Sequence, residues 1–169
     1  MKGAHMKAPV EEIQSMFFEA MLHGWAAGAS PEVLPDGSEQ YVYPPPEEKS
    51  DWQVTDRYWV NAGEKYSWGY TLITYRGQPV WHMSYWGWYE KEAIPFLQEC
   101  LLENYRAGVF HGGRGANCEQ VDSGLAYYNY DCKGDFSEFK GREKIAMESA
   151  KITELGTHSY QGGLLFKPD

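Results

Sequence analysis

Two stretches of the chain place apolar residues at helical spacing, and each predicts an amphipathic helix. Residues 11–27 carry one apolar face, formed by Ile13, Met16, Phe17, Ala20, Met21 and Trp25. Residues 91–106 carry a second apolar face, formed by Ile94, Leu97, Leu101 and Tyr105. The pattern therefore predicts two main helices, one near the start of the chain and one past its middle.

Aromatic-rich segments with alternating polarity predict six longer strands in two groups of three. The first group covers residues 52–60, 66–75 and 80–89. The second group covers residues 125–131, 136–148 and 155–160, and a short further strand is predicted at 162–166. Residues 30–51 contain five prolines and are predicted as a loop, with a short extended edge at Tyr41 and Tyr43.

The order of helix and strands occurs twice, which indicates an internal duplication. Gly63-Glu64 aligns with Gly134-Asp135 as the first turn, Gly69 with Gly141, and Tyr85 with Tyr160. We therefore predict an α+β fold of two α-β-β-β repeats, about residues 11–90 and 91–165. Their strands would form a mostly antiparallel curved sheet or half-barrel with two main helices. Residues 9–169 would form this single domain, and residues 1–8 look like a tag or a disordered N-terminus.

The composition favours a β-rich core and argues against several functions, among them nucleic-acid binding and membrane insertion. Aromatic residues make up 16% of the 169 residues, with seven Trp and thirteen Tyr, which favours a β-rich core. The net charge of −9 and the absence of a Lys/Arg cluster argue against direct nucleic-acid binding. No stretch approaches the ~18 apolar residues of a membrane span, so we expect no membrane partner. Three cysteines without a Cys-x-x-Cys pair fit a reducing cytoplasm, and the histidine spacings match no metal motif. We therefore expect a cytoplasmic protein without metal or cofactor.

Glu143 is the strongest single candidate for a functional group. It lies two residues after Gly141 on an otherwise aromatic and apolar strand. If it faces the core, it needs a partner such as Arg114, Arg57 or His158, or its pKa is raised. Such a carboxylate could be a general base or a ligand anchor, and the alternative is a structural glutamate, exposed or ion-paired with a neighbour on its own strand.

The glycine-rich segment 108–117 contains His111 and Arg114, and two interpretations of it stay open. Its backbone amides and the guanidinium are suited to an anion. The segment follows a helix instead of preceding one, so a plain connecting loop is the alternative.

Several motifs together resemble a bacterial domain family of unknown function, whose members occur alone or behind a helix-turn-helix of the Cro/repressor type. The resemblance spans about residues 13–165. It is carried by Asp56 with Tyr58, by Pro79-Val80-Trp81-x-Met83-x-Tyr85-x-Gly87, by Arg114-Gly115, by Gly134-Asp135 with Phe139, Gly141, Glu143 and Ile145, and by Tyr160-x-Gly162-Gly163.

This resemblance implies a sensor-like or accessory domain with no established reaction. The family tends to carry Glu two residues after the first-copy glycine, whereas this chain has Thr71, which argues against a two-carboxylate site. Too few residues precede the first predicted helix to hold a helix-turn-helix, so we do not expect its DNA-binding role here.

Two functional hypotheses follow. The first is a non-catalytic domain that binds a small molecule or a protein, through residues among Glu143, Arg114, His111, Asp56, Tyr58, Trp81, Tyr85 and Tyr160. The second is a small-molecule enzyme with Glu143 as acid or base and Arg114 or His111 as substrate anchor. A homodimer or larger oligomer joined through Trp86 and Trp88 is a third option.

Overall fold

The computed structural model describes residues 8–44, 47–61, 63–120, 122–148 and 152–168. Within them the chain forms two α-helices and nine strands, and every strand pair is antiparallel. The predicted α+β class and antiparallel sheet are thereby confirmed. The predicted tag-like N-terminus falls largely outside the described residues, as do Pro45 and Pro46 of the proline-rich loop.

The bounds of the elements are as follows. Helix α1 is Val10–Met21 and α2 is Ile94–Ala107. The strands are β1 Glu32–Val33, β2 Glu39–Tyr43, β3 Trp52–Asn61, β4 Tyr66–Tyr75, β5 Gln78–Tyr89, β6 Cys118–Gln120, β7 Leu125–Asp135, β8 Glu138–Met147 and β9 Thr153–Leu164. Short 3₁₀ helices occur at Trp25–Ala27, Glu47–Lys49 and Lys91–Ala93.

All nine strands belong to one open sheet, in the order β1-β2-β3-β4-β5-β9-β8-β7-β6. The two predicted groups of strands meet where β5 pairs with β9, and Tyr85 lies opposite Tyr160 there. Gly69 on β4 lies opposite Tyr85, and Gly141 on β8 lies opposite Tyr160. A Cβ atom at Gly69 would lie 2.7 Å from the Tyr85 hydroxyl, and one at Gly141 would lie 2.2 Å from the Tyr160 hydroxyl. Glycine is therefore needed at both places so that the tyrosine rings can lie flat across the neighbouring strand.

Both helices bury the apolar stripes that their sequences predict. Ile13, Met16 and Phe17 of α1 are buried, and the Phe17 ring lies 5.2 Å from that of Trp81 on β5. Phe96, Leu97, Cys100, Leu101 and Tyr105 of α2 are buried in the same core. The alternation predicted for β5 also holds, because Trp81, Met83 and Tyr85 are buried. The hydrophobic core therefore lies between the two helices and the face of the sheet that includes Trp81, Met83 and Tyr85.

The predicted first helix is too long. Helix α1 ends at Met21, and the chain resumes at Trp25 as a 3₁₀ helix. Gly24 between them adopts φ −102° and ψ −145°, a conformation that cannot continue a helix. Trp25 therefore lies outside α1 and does not belong to its apolar face.

Three further boundaries differ from the predictions. The loop predicted at 30–51 contains β1 and β2. The turn predicted at Gly134-Asp135 lies at Phe136-Ser137 instead, because β7 has a register shift between Tyr130 and Lys133 and continues to Asp135. The separate strand predicted at 162–166 is wrong, since β9 is continuous to Leu164.

No helix in the described part of the chain is long and apolar enough to cross a membrane.

Candidate functional site

A cavity of about 520 Å³ lies between strands β3–β5 and helix α2. Its volume is within the range of small-molecule pockets. The walls are largely apolar and aromatic, and are built from Met21, Trp25, Ala26, Tyr58, Met83, Tyr85, Tyr89, Ile94, Leu97, Leu101 and Tyr105. A few polar side chains also line it, among them Asp56, Ser67, Thr71, Arg114 and His158.

Asp56 places a carboxyl group on the sheet side of this cavity. It lies opposite Thr71 in the β3–β4 register, so the two side chains share the inward face. The Thr71 hydroxyl donates to Oδ1 at 3.1 Å, and the Tyr85 hydroxyl donates to the same oxygen at 2.8 Å. Among the described residues none donates a hydrogen bond to Oδ2 and none forms an ion pair with Asp56. Burial raises the pKa of the Asp56 carboxyl above its ordinary value, against the lowering by the Tyr85 and Thr71 hydrogen bonds and by the Arg114 charge.

Glu143 lies behind Arg114 and is fully buried. Arg114 Nε donates to both carboxylate oxygens at 2.9 Å, and Nη2 donates to Oε1. The hydroxyls of Tyr89 and Tyr127 donate to Oε1 and Oε2, each at 2.5 Å. Burial acts to raise the pKa of Glu143, but the Arg114 guanidinium and these hydrogen bonds hold it below its ordinary value. The Arg114 guanidinium and the Glu143 carboxylate are therefore both charged, and they form a bidentate ion pair inside the protein.

The glycine-rich loop positions Arg114. Gly112 and Gly113 have φ of 64° and 71°, and a Cβ atom at Gly112 would lie 2.4 Å from the Tyr160 ring. The Asn104 side chain donates to the carbonyl of Arg114 at 2.7 Å, and the Tyr105 hydroxyl donates to that of Gly113 at 3.1 Å. Helix α2 thus holds the loop so that the guanidinium points at Glu143.

His158 is a further buried titratable group that lines the cavity. Its Nε2 lies 3.2 Å from the Ser67 hydroxyl, and its Nδ1 has no hydrogen-bond partner among the described residues. Burial, with Arg114 nearby, lowers the pKa of His158 to about 3, so the ring is neutral at ordinary pH. A Ser-His pair is one element of nucleophilic catalysis, but this histidine is a weak base and donates no orienting hydrogen bond to a described carboxylate.

The residues predicted for the site divide into two groups. Asp56, Tyr58, Tyr85 and Arg114 line the cavity. The other four are not among its lining residues. Glu143 lies in the ion pair behind the cavity, as described above.

Trp81, Tyr160 and His111 have other contacts. The Trp81 indole donates to the carbonyl of Phe136 at 2.9 Å within the core. The Tyr160 hydroxyl donates to Asn129 Oδ1, and the His111 carbonyl accepts from Asn129 Nδ2 at 2.9 Å. Of the predicted partners of Glu143, Arg114 forms the ion pair, His158 lies opposite in the β8–β9 register, and Arg57 pairs with Asp36 instead.

Sequence reasoning missed several lining residues. Thr71 and Tyr89 could have been found, because strand alternation puts them on the same faces as Gly69 and Tyr85. Trp25 and Tyr105 reach the cavity through the docking of their helices, which periodicity alone does not reveal. The described residues contain no group of three or more His, Cys, Asp or Glu that could hold a metal ion.

Comparison with known proteins links the chain to a domain family. Neither a curated protein nor a solved structure matches the chain. A family model described as a domain of unknown function matches residues 57–165, which is more than half of the chain and includes most of the cavity-lining strands. The predicted resemblance to a domain family of unknown function is confirmed to that extent, and the chain belongs to the family described as "Domain of unknown function (DUF5680)".

Proposed function

We propose that the protein is a non-catalytic cytoplasmic domain that binds a small molecule in the cavity between β3–β5 and α2, in a sensor-like or accessory role. One observation carries the proposal, which is the Asp56 carboxyl group on the wall of a cavity that is largely apolar and aromatic. Its Oδ1 accepts two hydrogen bonds that fix the orientation of the group, and its Oδ2 takes none from the described residues. A pocket with apolar walls and a few fixed polar groups is the usual form of a small-molecule site.

A comparison of the two halves of the sheet, β1–β5 and β6–β9, supports the proposal if the halves are repeats of one unit. Tyr85 donates to Asp56 in the first half, and Tyr160 donates to Asn129 in the second. Gly69 and Gly141 accommodate these two rings, so Thr71 and Glu143 take equivalent places two residues later. In the second half Arg114 packs against Glu143, whereas the first half has the cavity at the corresponding side of the sheet. We infer that duplication produced one half that stabilises the fold and one half that binds.

Catalysis by Glu143 is the alternative hypothesis, and the geometry favours it less. Glu143 is not among the cavity-lining residues, and its oxygens accept hydrogen bonds from Arg114, Tyr89 and Tyr127. A lowered pKa also weakens a carboxylate as a general base near neutral pH. A structural role for Glu143 accounts for all of these contacts.

A matched pair of substitutions tests the proposal. Ala26 is 7% exposed and lines the cavity, whereas Ala27 is its exposed neighbour in the same 3₁₀ helix. Ala26→Phe should fill part of the cavity, and Ala27→Phe should add the same ring to the surface. Thermal-shift screening of a metabolite library should yield ligands that raise the Tm of the wild type and of Ala27→Phe but not that of Ala26→Phe. If no compound distinguishes the two variants, binding in this cavity is disproved.

A further inference from the structure

Asp56 in the first half of the sheet and Glu143 in the second are both inward carboxylates, and their surroundings differ. Glu143 receives two tyrosine hydroxyls and a guanidinium. Asp56 receives two hydroxyls, from Thr71 and Tyr85, and no cation of the described residues lies within ion-pair distance of it. Asp56 thus has two hydroxyl donors, as Glu143 does, but the Arg114 guanidinium acts on it only from beyond ion-pair distance.

Two of the cations that line the cavity are held in ion pairs. Arg114 is bound bidentately to Glu143, and Lys65 forms an ion pair with Glu90 at 2.5 Å. Burial keeps His158 neutral. Lys91 also lines the cavity and is exposed, and the Glu39 carboxylate, another lining group, accepts a hydrogen bond from the Tyr58 hydroxyl. Asp56 is therefore a half-buried carboxylate without an ion-pair partner among the described residues, and a carboxylate in this position is costly unless a cation meets it.

The aromatic walls favour a positive group as well. Tyr58, Tyr85 and Tyr89 line the same region as Asp56, and the faces of aromatic rings attract cations. The protein already uses this interaction, since the Arg114 guanidinium carbon lies 5.7 Å from the centre of the Tyr85 ring. An anion would meet the negative charge of Asp56, and the guanidinium that could balance it is already neutralised by Glu143.

We propose that the ligand is an organic cation, an amine whose protonated nitrogen donates to Asp56 Oδ2 and whose hydrocarbon or aromatic body packs between Leu97, Leu101 and Tyr105. This inference rests on the proposed function and specifies the chemical class of the ligand. Thr71 and Tyr85 keep Oδ1 occupied, so the carboxylate is oriented before the ligand arrives, which reduces the entropy lost on binding.

The inference is tested with molecules of similar shape and different charge. Phenethylamine, 2-phenylethanol and 3-phenylpropionate serve as cation, neutral compound and anion, and a panel from propylamine to spermidine varies the size of the amine. Isothermal titration calorimetry at neutral pH should detect binding of one or more amines, with the alcohol and the carboxylate at least about tenfold weaker, a difference of ~1.4 kcal/mol.

Asp56→Asn is the decisive variant, because its amide oxygen can still accept the hydrogen bonds from Thr71 and Tyr85. It should weaken amine binding by about tenfold or more and leave any binding of the alcohol unchanged. Glu138→Gln makes the corresponding change at an exposed residue of β8 and should alter neither.

Three results would overturn the inference. These are failure of the whole amine panel to bind, binding of the anion as tightly as the amine, or an unchanged amine affinity in Asp56→Asn. The proposed function would survive each of them if the metabolite library still yields a ligand that is blocked by Ala26→Phe and not by Ala27→Phe. The two proposals can therefore fail separately.

Discussion

At the scale of single residues, Glu143 and Arg114 hold opposite charges in the interior, and each makes the burial of the other tolerable. Removing one partner of a buried ion pair leaves an uncompensated charge, which costs about 3–5 kcal/mol. We expect Glu143→Gln to lower the free energy of unfolding by about that amount in urea denaturation.

Glu138→Gln on the same strand is exposed and should change stability by less than about 0.5 kcal/mol. The double variant Arg114→Met/Glu143→Gln should lose less than the sum of the two single variants, because it removes both charges. Additive losses would show that the two side chains do not stabilise each other.

His158 makes stability depend on pH. Burial lowers the pKa of its folded form from 6.5 to about 3, so between these values the unfolded chain binds a proton that the folded chain does not. Stability must therefore fall as the pH falls below 6.5, by about 2 kcal/mol between pH 7 and pH 5. Urea denaturation across this range measures the slope.

Other groups near His158 titrate in a different window or with a different sign. Glu143, whose pKa is lowered, loses its contribution only below its ordinary 4.5. Asp56, whose pKa is raised, stabilises the fold at low pH and loses that contribution as the pH rises. We expect His158→Gln to flatten the slope and His82→Gln, on the outward face of β5, to preserve it. Equal slopes in the wild type and His158→Gln would refute this assignment.

At the scale of elements, the glycine-rich loop shows how local geometry fixes a buried charge. Gly108 and Gly112 both have positive φ, of 65° and 64°. A Cβ atom at Gly108 meets nothing within 4 Å, whereas one at Gly112 would overlap the Tyr160 ring. We expect Gly108→Ala to cost only the backbone strain of about 1–2 kcal/mol, and Gly112→Ala to cost clearly more because the loop or the ring must shift.

Differential scanning calorimetry of the two variants measures this difference. Gly112→Ala should also displace Arg114 from Glu143, which should alter the near-ultraviolet circular dichroism of the tyrosines that contact the pair. Equal destabilisation by the two alanines would mean that the loop is free to move away from β9.

Local sequence signals predicted the strands better than the loops. The sequence pattern predicted both ends of β4, Tyr66–Tyr75, correctly. Alternation along β5 predicted its buried residues Trp81, Met83 and Tyr85. The end of α1 and the turn at Phe136-Ser137 were misplaced, because they depend on a backbone break at Gly24 and on a register shift in β7. The pairing of Arg114 with Glu143 was one of three predicted possibilities. It is decided by how the loop folds back onto Asn104 and Tyr105, which periodicity does not reveal.

At the scale of the whole molecule, the fold class and the antiparallel sheet were predictable because each strand carries its own pattern. The cavity was not, because it lies between two elements whose distance depends on how α2 and the 3₁₀ helix at Trp25–Ala27 pack on the sheet. Asp56, Tyr58 and Tyr85 were predicted as site residues from a resemblance, and the structure places all three on one wall.

The position of β9 at the centre of the sheet has a consequence for folding. Residues 153–164 are made after all the other strands, yet they join β5 to β8. During synthesis β5 therefore keeps an unpaired edge until residues 153–164 have left the ribosome. Contacts between segments so far apart in sequence slow folding, because the intervening chain must be ordered first. We expect refolding to be slow for a protein of this size, with β9 joining late.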